Sequence, residues 1–472
     1  MLDVNVCARA RMSRDARFDG LFVIGVVTTG IYCRPVCPVR PPAEENVRYF
    51  RTAAAAQDAG YRPCMRCRPE RAAFLPAWPL GSQTVIRAMS LINTGMLNDV
   101  PVAALAERLG IGVRQLNRLF HAELGASPKS IARMQRAALA RQLIDDTALP
   151  FGEVAMVAGY GSLRRFNDDI RSVFTRSPRE LRNGKRASVQ PLGRVVLTLP
   201  VRQPYRADWV LSFLARRAIP GVEEVENETY RRRLSLRGTD DPWLEATLRE
   251  GALIVSLPAA AAQQAARLLA RVRRIFDLDA DPVPVDRHLA SSPRLAPLVE
   301  SAAGIRVPGA WDGFELAVRA ILGQQVSVDR ATRLASSLVQ TFGEAGLFPG
   351  PEVLARENPA AIGIPGTRGR AIQELARRVA AGTLELDAST DPDEIRRAMC
   401  AVPGVGPWTA EYVALRAGRD PDAFPDSDWV VLKMLETTPA GARKLAQAWR
   451  PWRGYALMYL WLGAIRAHER SR

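Results

Sequence analysis

The sequence predicts a multidomain protein, in which a small cysteine-bearing α+β domain precedes an all-α domain, a second α+β domain and an all-α C-terminal domain. Its 472 residues fit about three or more domains. Four cysteines cluster near the N-terminus, and two helical segments then repeat at an offset of fifty residues. Strand-like alternation gives way to helical periodicity from about Ala290 to the end. We expect domain boundaries that divide the chain into residues 1–78, 79–186, 187–290 and 291–472.

The four clustered cysteines form two tight pairs. Cys33 and Cys37 are separated by three residues, and Cys64 and Cys67 by two. In a chain without a secretion signal, this spacing favours tetrahedral zinc over disulfides. The alternative interpretation is four free cysteines in a core. We therefore expect one zinc ion at a four-cysteine site.

Arginines flank the proposed zinc ligands. Four thiolates leave a zinc site with a formal charge of about −2, which nearby cations partly balance, and guanidinium groups also hold phosphate. A zinc-bound thiolate can act as a nucleophile, although the module could equally serve only to stabilise a small fold. The flanking residues are Arg34, Arg40, Arg66 and Arg68.

The cysteine motifs resemble a known family. The run from Thr28 to Cys37, followed by Glu45-Asn46-Val47 and by the run from Gly60 to Cys67, is similar to the N-terminal domain of the Ada family of bacterial adaptive-response regulators. The resemblance covers roughly residues 5–75 and implies a small zinc-bound α+β domain. It implies that Cys33 irreversibly takes a methyl group from a DNA methylphosphotriester, and that the other three cysteines complete the zinc site.

Composition favours a polyanionic partner. The formal net charge is +16, and most of the cations are arginines, which bind phosphate in a two-pronged geometry. Charge alone does not distinguish DNA from RNA or the ribosome. The sequence has no long apolar run and no signal peptide, so we expect no membrane association and a cytoplasmic, nucleoid-associated protein. Only three unclustered histidines are present, which argues against a histidine-based hydrolase.

A repeat of about fifty residues predicts two helix-turn-helix units. The pattern Leu124-x2-Ser127-Pro128-x2-Ile131 matches Phe174-x2-Ser177-Pro178-x2-Leu181, and an apolar helix ending at a glycine precedes each copy. The pair resembles the AraC-type DNA-binding domain, with recognition helices over Val113–Leu124 and Ser162–Phe174. The alternative is a helical bundle with a solvated basic face. Exposed candidates for contact with the DNA groove are Arg114, Gln115, Arg118, Arg164 and Arg165.

Residues 187–290 alternate between strand and helix patterns. Strands are predicted over Arg194–Pro200, Arg231–Arg237 and Ala252–Leu257, with a helix over Trp209–Arg217. Proline-rich and glycine-containing linkers are predicted over residues 68–82 and 183–194.

Two features of the helical C-terminal part point to chemistry on DNA. The turn that contains Gly404 and Gly406 would expose backbone N–H groups at a helix start, where they can grip one phosphate. Trp408 and Tyr412 lie four residues apart, on one helix face. As an isolated pair they could be core aromatics, but aspartates follow at positions 426 and 428. A carboxylate beside aromatic walls suits a cationic, electron-poor substrate.

Residues 190–472 resemble the AlkA family of alkylpurine DNA glycosylases, in the helix-hairpin-helix superfamily. Matching stretches include Arg319–Gln324, Pro403–Ala410 and Arg450–Leu457. The resemblance implies an N-terminal α+β domain and an all-α helix-hairpin-helix glycosylase domain. It implies a catalytic Asp428 and a base pocket lined by Trp408, Tyr412, Trp461 and Phe213. The sequence departs from the family at the wedge position, where Gln325 replaces an apolar residue.

Together these resemblances predict a fusion of a methyl-sensing regulator and a monofunctional glycosylase. Trp408 stands where bifunctional relatives place a Schiff-base lysine. The expected partners are alkylated double-stranded DNA, promoter DNA and RNA polymerase, bound by a monomer. Two alternatives remain open: a regulator whose glycosylase half only binds DNA, and an enzyme whose helix-turn-helix pair gives only nonspecific affinity.

Overall fold

The computed structural model describes residues 3–71, 82–183, 193–236 and 239–470. Two compact units are present, one formed by Met1–Val201 with Arg249–Ala270 and the other by Arg202–Leu248 with Arg271–Arg472. This division falls inside the region predicted as one domain over residues 187–290, and the predicted boundaries stay predictions. The predicted linkers lie mostly at residues 72–81 and 184–192, outside the described residues.

A four-stranded sheet forms the cysteine-bearing segment. Its strand order is β3-β1-β2-β4, with β2 and β4 parallel and the other pairs antiparallel. Gly25 lies at the centre of β1, where a Cβ atom would come within 2.7 Å of the Phe50 ring and 2.9 Å of the Tyr61 ring. The elements are α1 (Val4–Ser13), β1 (Val23–Val26), β2 (Ile31–Cys33), β3 (Val47–Phe50), α2 (Ala53–Asp58) and β4 (Arg62–Pro63).

Eight helices follow and contain both predicted helix-turn-helix units. The first recognition helix has the predicted bounds, and the second begins one residue late because Ser162 is its N-cap, with its hydroxyl accepting the Arg165 N–H. Ser127 and Ser177 cap α7 and α10 in the same way, which explains the repeated Ser-Pro pattern. The helices are α3 (Gln83–Asn93), α4 (Met96–Asp99), α5 (Val102–Arg108), α6 (Val113–Leu124), α7 (Pro128–Asp146), α8 (Phe151–Val157), α9 (Leu163–Phe174) and α10 (Pro178–Arg182).

The cysteine-bearing segment and the first helix-turn-helix unit share one hydrophobic core. The four alanines of α2, at positions 53–56, pack in the same buried cluster as Phe120 and Leu124 of α6. The Thr52 hydroxyl donates a hydrogen bond to the Leu124 carbonyl at 2.9 Å, and Arg51 donates to the Ala122 carbonyl at 2.6 Å. These contacts fix the sheet against the end of the first recognition helix.

The rest of the first unit is a strand pair. Strands β5 (Arg194–Pro200) and β9 (Ala252–Pro258) are antiparallel over their full length, as the sequence patterns predict to within one residue. In the second unit, β6 (Glu223–Glu226), β7 (Thr229–Arg233) and β8 (Trp243–Arg249) form an antiparallel meander. The prediction of a strand over 231–237 is wrong in its bounds, because pairing with β8 begins at Thr229 and ends at Arg233. Residue 237 lies outside the described residues.

Apart from this meander, the second unit is helical. This agrees with the predicted α+β region followed by an all-α C-terminal region. The predicted helix at 209–217 lies two residues earlier, because Arg216 is its C-cap. Among the described residues, no helix combines the length and the apolar character that a membrane span requires. The helices from here to the C-terminus are α11 (Ala207–Ala215), α12 (Ala265–Ile275), α13 (Pro282–Leu289), α14 (Ala296–Ser301), α15 (Gly313–Leu322), α16 (Val328–Phe342), α17 (Pro351–Arg356), α18 (Gly366–Ala380), α19 (Pro392–Cys400), α20 (Pro407–Arg416), α21 (Trp429–Leu435), α22 (Pro439–Leu445) and α23 (Arg453–Arg470).

Candidate functional site

A buried carboxylate lies at the start of α21. Asp428 is the N-cap of this helix and is 6% exposed. Its Oδ1 accepts hydrogen bonds from the Val431 N–H at 3.0 Å and from the Trp461 indole Nε1 at 3.1 Å. Its Oδ2 accepts the indole Nε1–H of Trp408 at 2.9 Å. Together these three donors satisfy both oxygens of the buried carboxylate.

The neighbouring Asp426 has a different environment. Its Oδ2 accepts a hydrogen bond from Nε of Arg443 at 2.6 Å, in an ion pair at the surface. The side chain of Asp426 is 24% exposed. Of the two aspartates, Asp428 alone is bonded to the indoles, so the geometry favours it as the reactive carboxylate.

The two indoles connect Asp428 to a cluster of four aromatic side chains, which are the four residues predicted to line a base pocket. Trp408 and Tyr412 stack with ring centroids 5.3 Å apart and planes 11° apart. Phe213 and Trp461 stack at 6.4 Å and 14°, and Tyr412 lies 6.3 Å from Trp461. Phe213 and Tyr412 are buried, but both tryptophans are partly exposed. Trp408 and Trp461 are therefore the members of this cluster that solvent can reach.

Two buried arginines that the sequence analysis missed support these aromatic walls. The guanidinium of Arg416 donates to the Tyr412 hydroxyl at 2.6 Å, and that of Arg217 lies 3.7 Å from the centre of the Phe213 ring. Burial raises the pKa of Tyr412, but Arg416 and Arg217 outweigh this and hold it below the usual value. Burial lowers the pKa of Arg217 to about 10, so the group stays charged at neutral pH. Each arginine lies four residues after its aromatic partner, a spacing that the sequence does display.

The turn predicted to bind a phosphate lies between α19 and α20. Gly404 has a φ of +89° and is exposed, and Gly406 is the N-cap of α20. Within the described residues, neither N–H group donates to a backbone carbonyl. Gln325 lies in the loop between α15 and α16, where it is exposed and has a φ of +56°.

The four predicted ligand cysteines come together. Their sulfur atoms all lie within 4.8 Å of one another, and tetrahedral Zn–S bonds of about 2.3 Å would place sulfurs about 3.8 Å apart. Cys64 and Cys67 are buried, whereas Cys33 and Cys37 are partly exposed. The donor set fits zinc, and only the first pair is open to a large substrate.

The arginines around this cluster divide into two groups. Arg34 donates through Nε to the Asp19 carboxylate at 2.8 Å and through Nη1 to the Cys67 carbonyl at 3.2 Å. Its guanidinium group therefore stabilises the loops around the cysteines. Arg68 is paired with Glu70 and with Asp145 of α7. Arg40 and Arg66 are exposed and remain candidates for phosphate contact.

The predicted groove-contact residues are exposed on the two recognition helices. In α6, Leu116 and Phe120 are buried, and in α9 the equivalent Phe166 and Ile170 are buried. The opposite faces carry the five candidates, and the nearest acidic neighbour of Arg164 is Asp168, with an N–O separation of 4.0 Å. The exposed candidates are Arg114, Gln115, Arg118, Arg164 and Arg165.

Comparison with known proteins identifies the family. Family models match the metal binding domain of Ada over residues 6–70, a helix-turn-helix domain over 105–184 and the AlkA N-terminal domain over 196–312. A Mycobacterium tuberculosis protein, described as a probable bifunctional transcriptional activator/DNA repair enzyme AlkA, is 43% identical over 489 residues, covering 97% of this chain and 96% of that protein. This chain belongs to that bifunctional AlkA family.

Further relatives match the two halves of this AlkA-family chain. DNA-3-methyladenine glycosylase 2 of Escherichia coli is 36% identical and covers 56% of this chain and 96% of its own length. The bifunctional transcriptional activator/DNA repair enzyme Ada of the same organism is 37% identical, covering 28% of this chain and 36% of that protein. A 3-methyladenine DNA-glycosylase from Archaeoglobus fulgidus shares the fold, with a TM-score of 0.50 and 21% identity over 57% of this chain and 97% of its own. These matches confirm the predicted resemblances to Ada and AlkA and the multidomain fold class.

We predict that Gly404→Ala destabilises the second unit, whereas Gly406→Ala does not. A Cβ atom at Gly404 would be held at a φ of +89°, which costs about 1–2 kcal/mol for a residue other than glycine. Gly406 has a φ of −97°, and its Cβ would meet no atom within 4 Å, which makes it the matched control. Urea unfolding of the full chain, followed by tryptophan fluorescence, measures the difference. Equal midpoints for the two variants would contradict the assigned turn geometry.

Proposed function

We propose that this AlkA-family chain repairs alkylated DNA and regulates transcription in response to the damage. Its second unit excises alkylated purines such as 3-methyladenine from double-stranded DNA. Its zinc-binding segment takes a methyl group from a DNA methylphosphotriester onto Cys33. The observation that carries the glycosylase assignment is the buried carboxylate of Asp428, held by two indole N–H groups beside a cluster of aromatic side chains.

Excision begins when the damaged base leaves the duplex and enters the pocket. A purine methylated on a ring nitrogen carries a positive charge, and the faces of Trp408 and Trp461 attract it. The N-glycosidic bond then breaks, and its electron pair goes to the base, which leaves as a neutral molecule. Asp428 stabilises the oxocarbenium-like sugar, and water adds to the sugar and loses a proton. Because the base leaves without further protonation, no histidine is needed.

The indole donors suit this role for two reasons. Both indole N–H groups are neutral donors, so they add no positive charge that would offset the charge Asp428 presents to the sugar. They also orient both tryptophan rings, because each N–H is bonded to the same carboxylate. Trp408 stands at the position of a Schiff-base lysine, so the product is an abasic site rather than a cut strand.

The zinc-binding segment supports methyl transfer. When bound, zinc holds all four cysteines as thiolates and so keeps a nucleophile available at neutral pH. The sulfur of Cys33 forms a bond to the methyl carbon of the phosphotriester. The methyl carbon–oxygen bond breaks, and its electrons stay on the phosphate as a phosphodiester anion. Cys33 becomes a thioether, so the segment loses one negative charge.

This change of charge is the proposed regulatory signal. A less negative segment is repelled less by DNA, and the shared core joins it to the first recognition helix. The exposed residues of α6 and α9 then contact promoter DNA, and the bound monomer engages RNA polymerase. Near the reacting cysteine, the exposed residues expected to contact DNA phosphates are Arg40 and Arg66.

We predict that Asp428→Asn lowers base excision by about two to three orders of magnitude, the scale of losing one main electrostatic stabiliser. The amide retains the size of the side chain and one oxygen to cap α21, but its NH2 group cannot accept the second indole N–H, so we expect some loss of stability with the fold and duplex binding retained. The matched control is Asp426→Asn, whose carboxylate bonds to Arg443 rather than to the indoles. Single-turnover release of free base from methylated duplex measures the effect. A larger loss for Asp426→Asn would assign the chemistry to that residue instead.

We predict that methylation of Cys33 raises the affinity of the full chain for undamaged duplex at low salt. The gain shrinks as salt is added, because it is electrostatic. Cys33→Ser retains most of the fold but accepts no methyl group, and Cys64→Ser also loses zinc, since this buried ligand is needed to hold the metal. Fluorescence anisotropy over a salt series measures the affinity. Equal affinity of methylated and unmethylated protein at low salt would exclude the charge switch.

A further inference from the structure

The loop between α15 and α16 places an unusual residue at its tip. It comprises residues 323–327, and Gln325 is exposed there with a φ of +56°. A left-handed backbone is unfavourable for a residue other than glycine, and it persists only when the surrounding structure holds it. The contacts of the adjacent residues therefore show what fixes Gln325.

Gln324 connects this loop to the phosphate-gripping turn. Its side-chain amide Nε2 lies 3.1 Å from the Gly404 carbonyl oxygen and 3.1 Å from the Thr409 hydroxyl oxygen. Thr409 is 2% exposed, so this bond anchors the loop to the buried face of α20. An amide NH2 has two protons, and the two acceptors can take one each.

Arg368 holds the same peptide from the other side. Its guanidinium Nη2 donates to the Gln324 backbone carbonyl at 2.8 Å. Arg368 belongs to α18, Gly404 to the turn between α19 and α20, and Thr409 to α20, so three separate elements meet at Gln324. The side chain and the main chain of Gln324 are thus both fixed immediately before the left-handed residue.

We propose that Gln324 and Arg368 are positioning residues that fix Gln325 at a set distance from the turn between α19 and α20. That turn can then bind a DNA phosphate while Gln325 inserts into the same duplex. The inference rests on the proposed glycosylase function and adds to it. The turn holds the backbone through Gly404 and Gly406. The tethered Gln325 then enters the space that the extruded base leaves, and a side-chain amide there can hydrogen-bond to the opposite base.

The test compares two duplexes with the full chain. One is undamaged, and the other contains a tetrahydrofuran abasic-site analogue. Gln324→Met keeps the length of the side chain but removes both hydrogen bonds. We expect about a tenfold loss of affinity for the abasic-analogue duplex, the scale of two neutral hydrogen bonds, and little change for the undamaged one. Arg368→Met removes the second tether, and we expect a smaller loss of the same kind.

Gln325→Ala tests whether the tethers act through the wedge residue. In that background Gln324→Met should cause no further loss, because the two effects are coupled. The matched control is Gln373→Met, which removes a comparable amide bond, to the Glu357 carbonyl at 2.9 Å, within the α17–α18 connection. We expect wild-type discrimination between the duplexes for this variant.

Three results would overturn the inference. Gln324→Met and Arg368→Met could both bind the abasic-analogue duplex as tightly as the wild type, they could weaken both duplexes equally, or the losses could add fully in the Gln325→Ala background. If Gln324→Met does not fold, Arg368→Met decides alone. Failure of the proposed function is distinguishable, because the wild type would then release no base from methylated DNA and show no preference for the abasic analogue.

Discussion

The carboxylate of Asp428 organises the second unit, because it accepts three hydrogen bonds from three different parts of the chain. One comes from its own helix, one from α20 and one from α23. A buried carboxylate is costly unless it is satisfied in this way. The same bonds fix the orientation of the Trp408 and Trp461 rings relative to the carboxylate. The guanidinium groups of Arg217 and Arg416 pack on the Phe213 ring and so support this aromatic cluster.

The first unit is organised by a different constraint, the shared core. The sheet that positions Cys33 and the helix that carries Arg114 pack on the same alanines of α2. The ion pairs of Arg68 with Asp145 add a polar link between the residue after Cys67 and α7. In such an arrangement packed side chains connect the cysteine-bearing segment to α6.

Local patterns in the sequence predict much of this structure. Cysteine spacing, the Ser-Pro repeat and the glycine turn each act within a few residues, so the cysteine cluster, the helices α6 and α9 and the turn before α20 lie at or within one residue of their predicted positions. The strands of the cysteine-bearing segment were not predicted, because they are short and one pair depends on contact between residues 31–32 and 62–63. The shared core and the roles of Arg217 and Gln324 depend on long-range packing. Such contacts leave no periodic pattern, even where an aromatic–arginine spacing was visible.

The most direct test of the central claim is analysis of both products after the full chain acts on a duplex with a single 3-methyladenine. The account predicts free 3-methyladenine together with an uncut strand that carries an abasic site, since Asp428 assists hydrolysis and Trp408 cannot form a Schiff base. Mass spectrometry of the base and denaturing electrophoresis of the strand report the two products. Absence of free base, or a strand cleaved by β-elimination before any treatment with alkali, would contradict it.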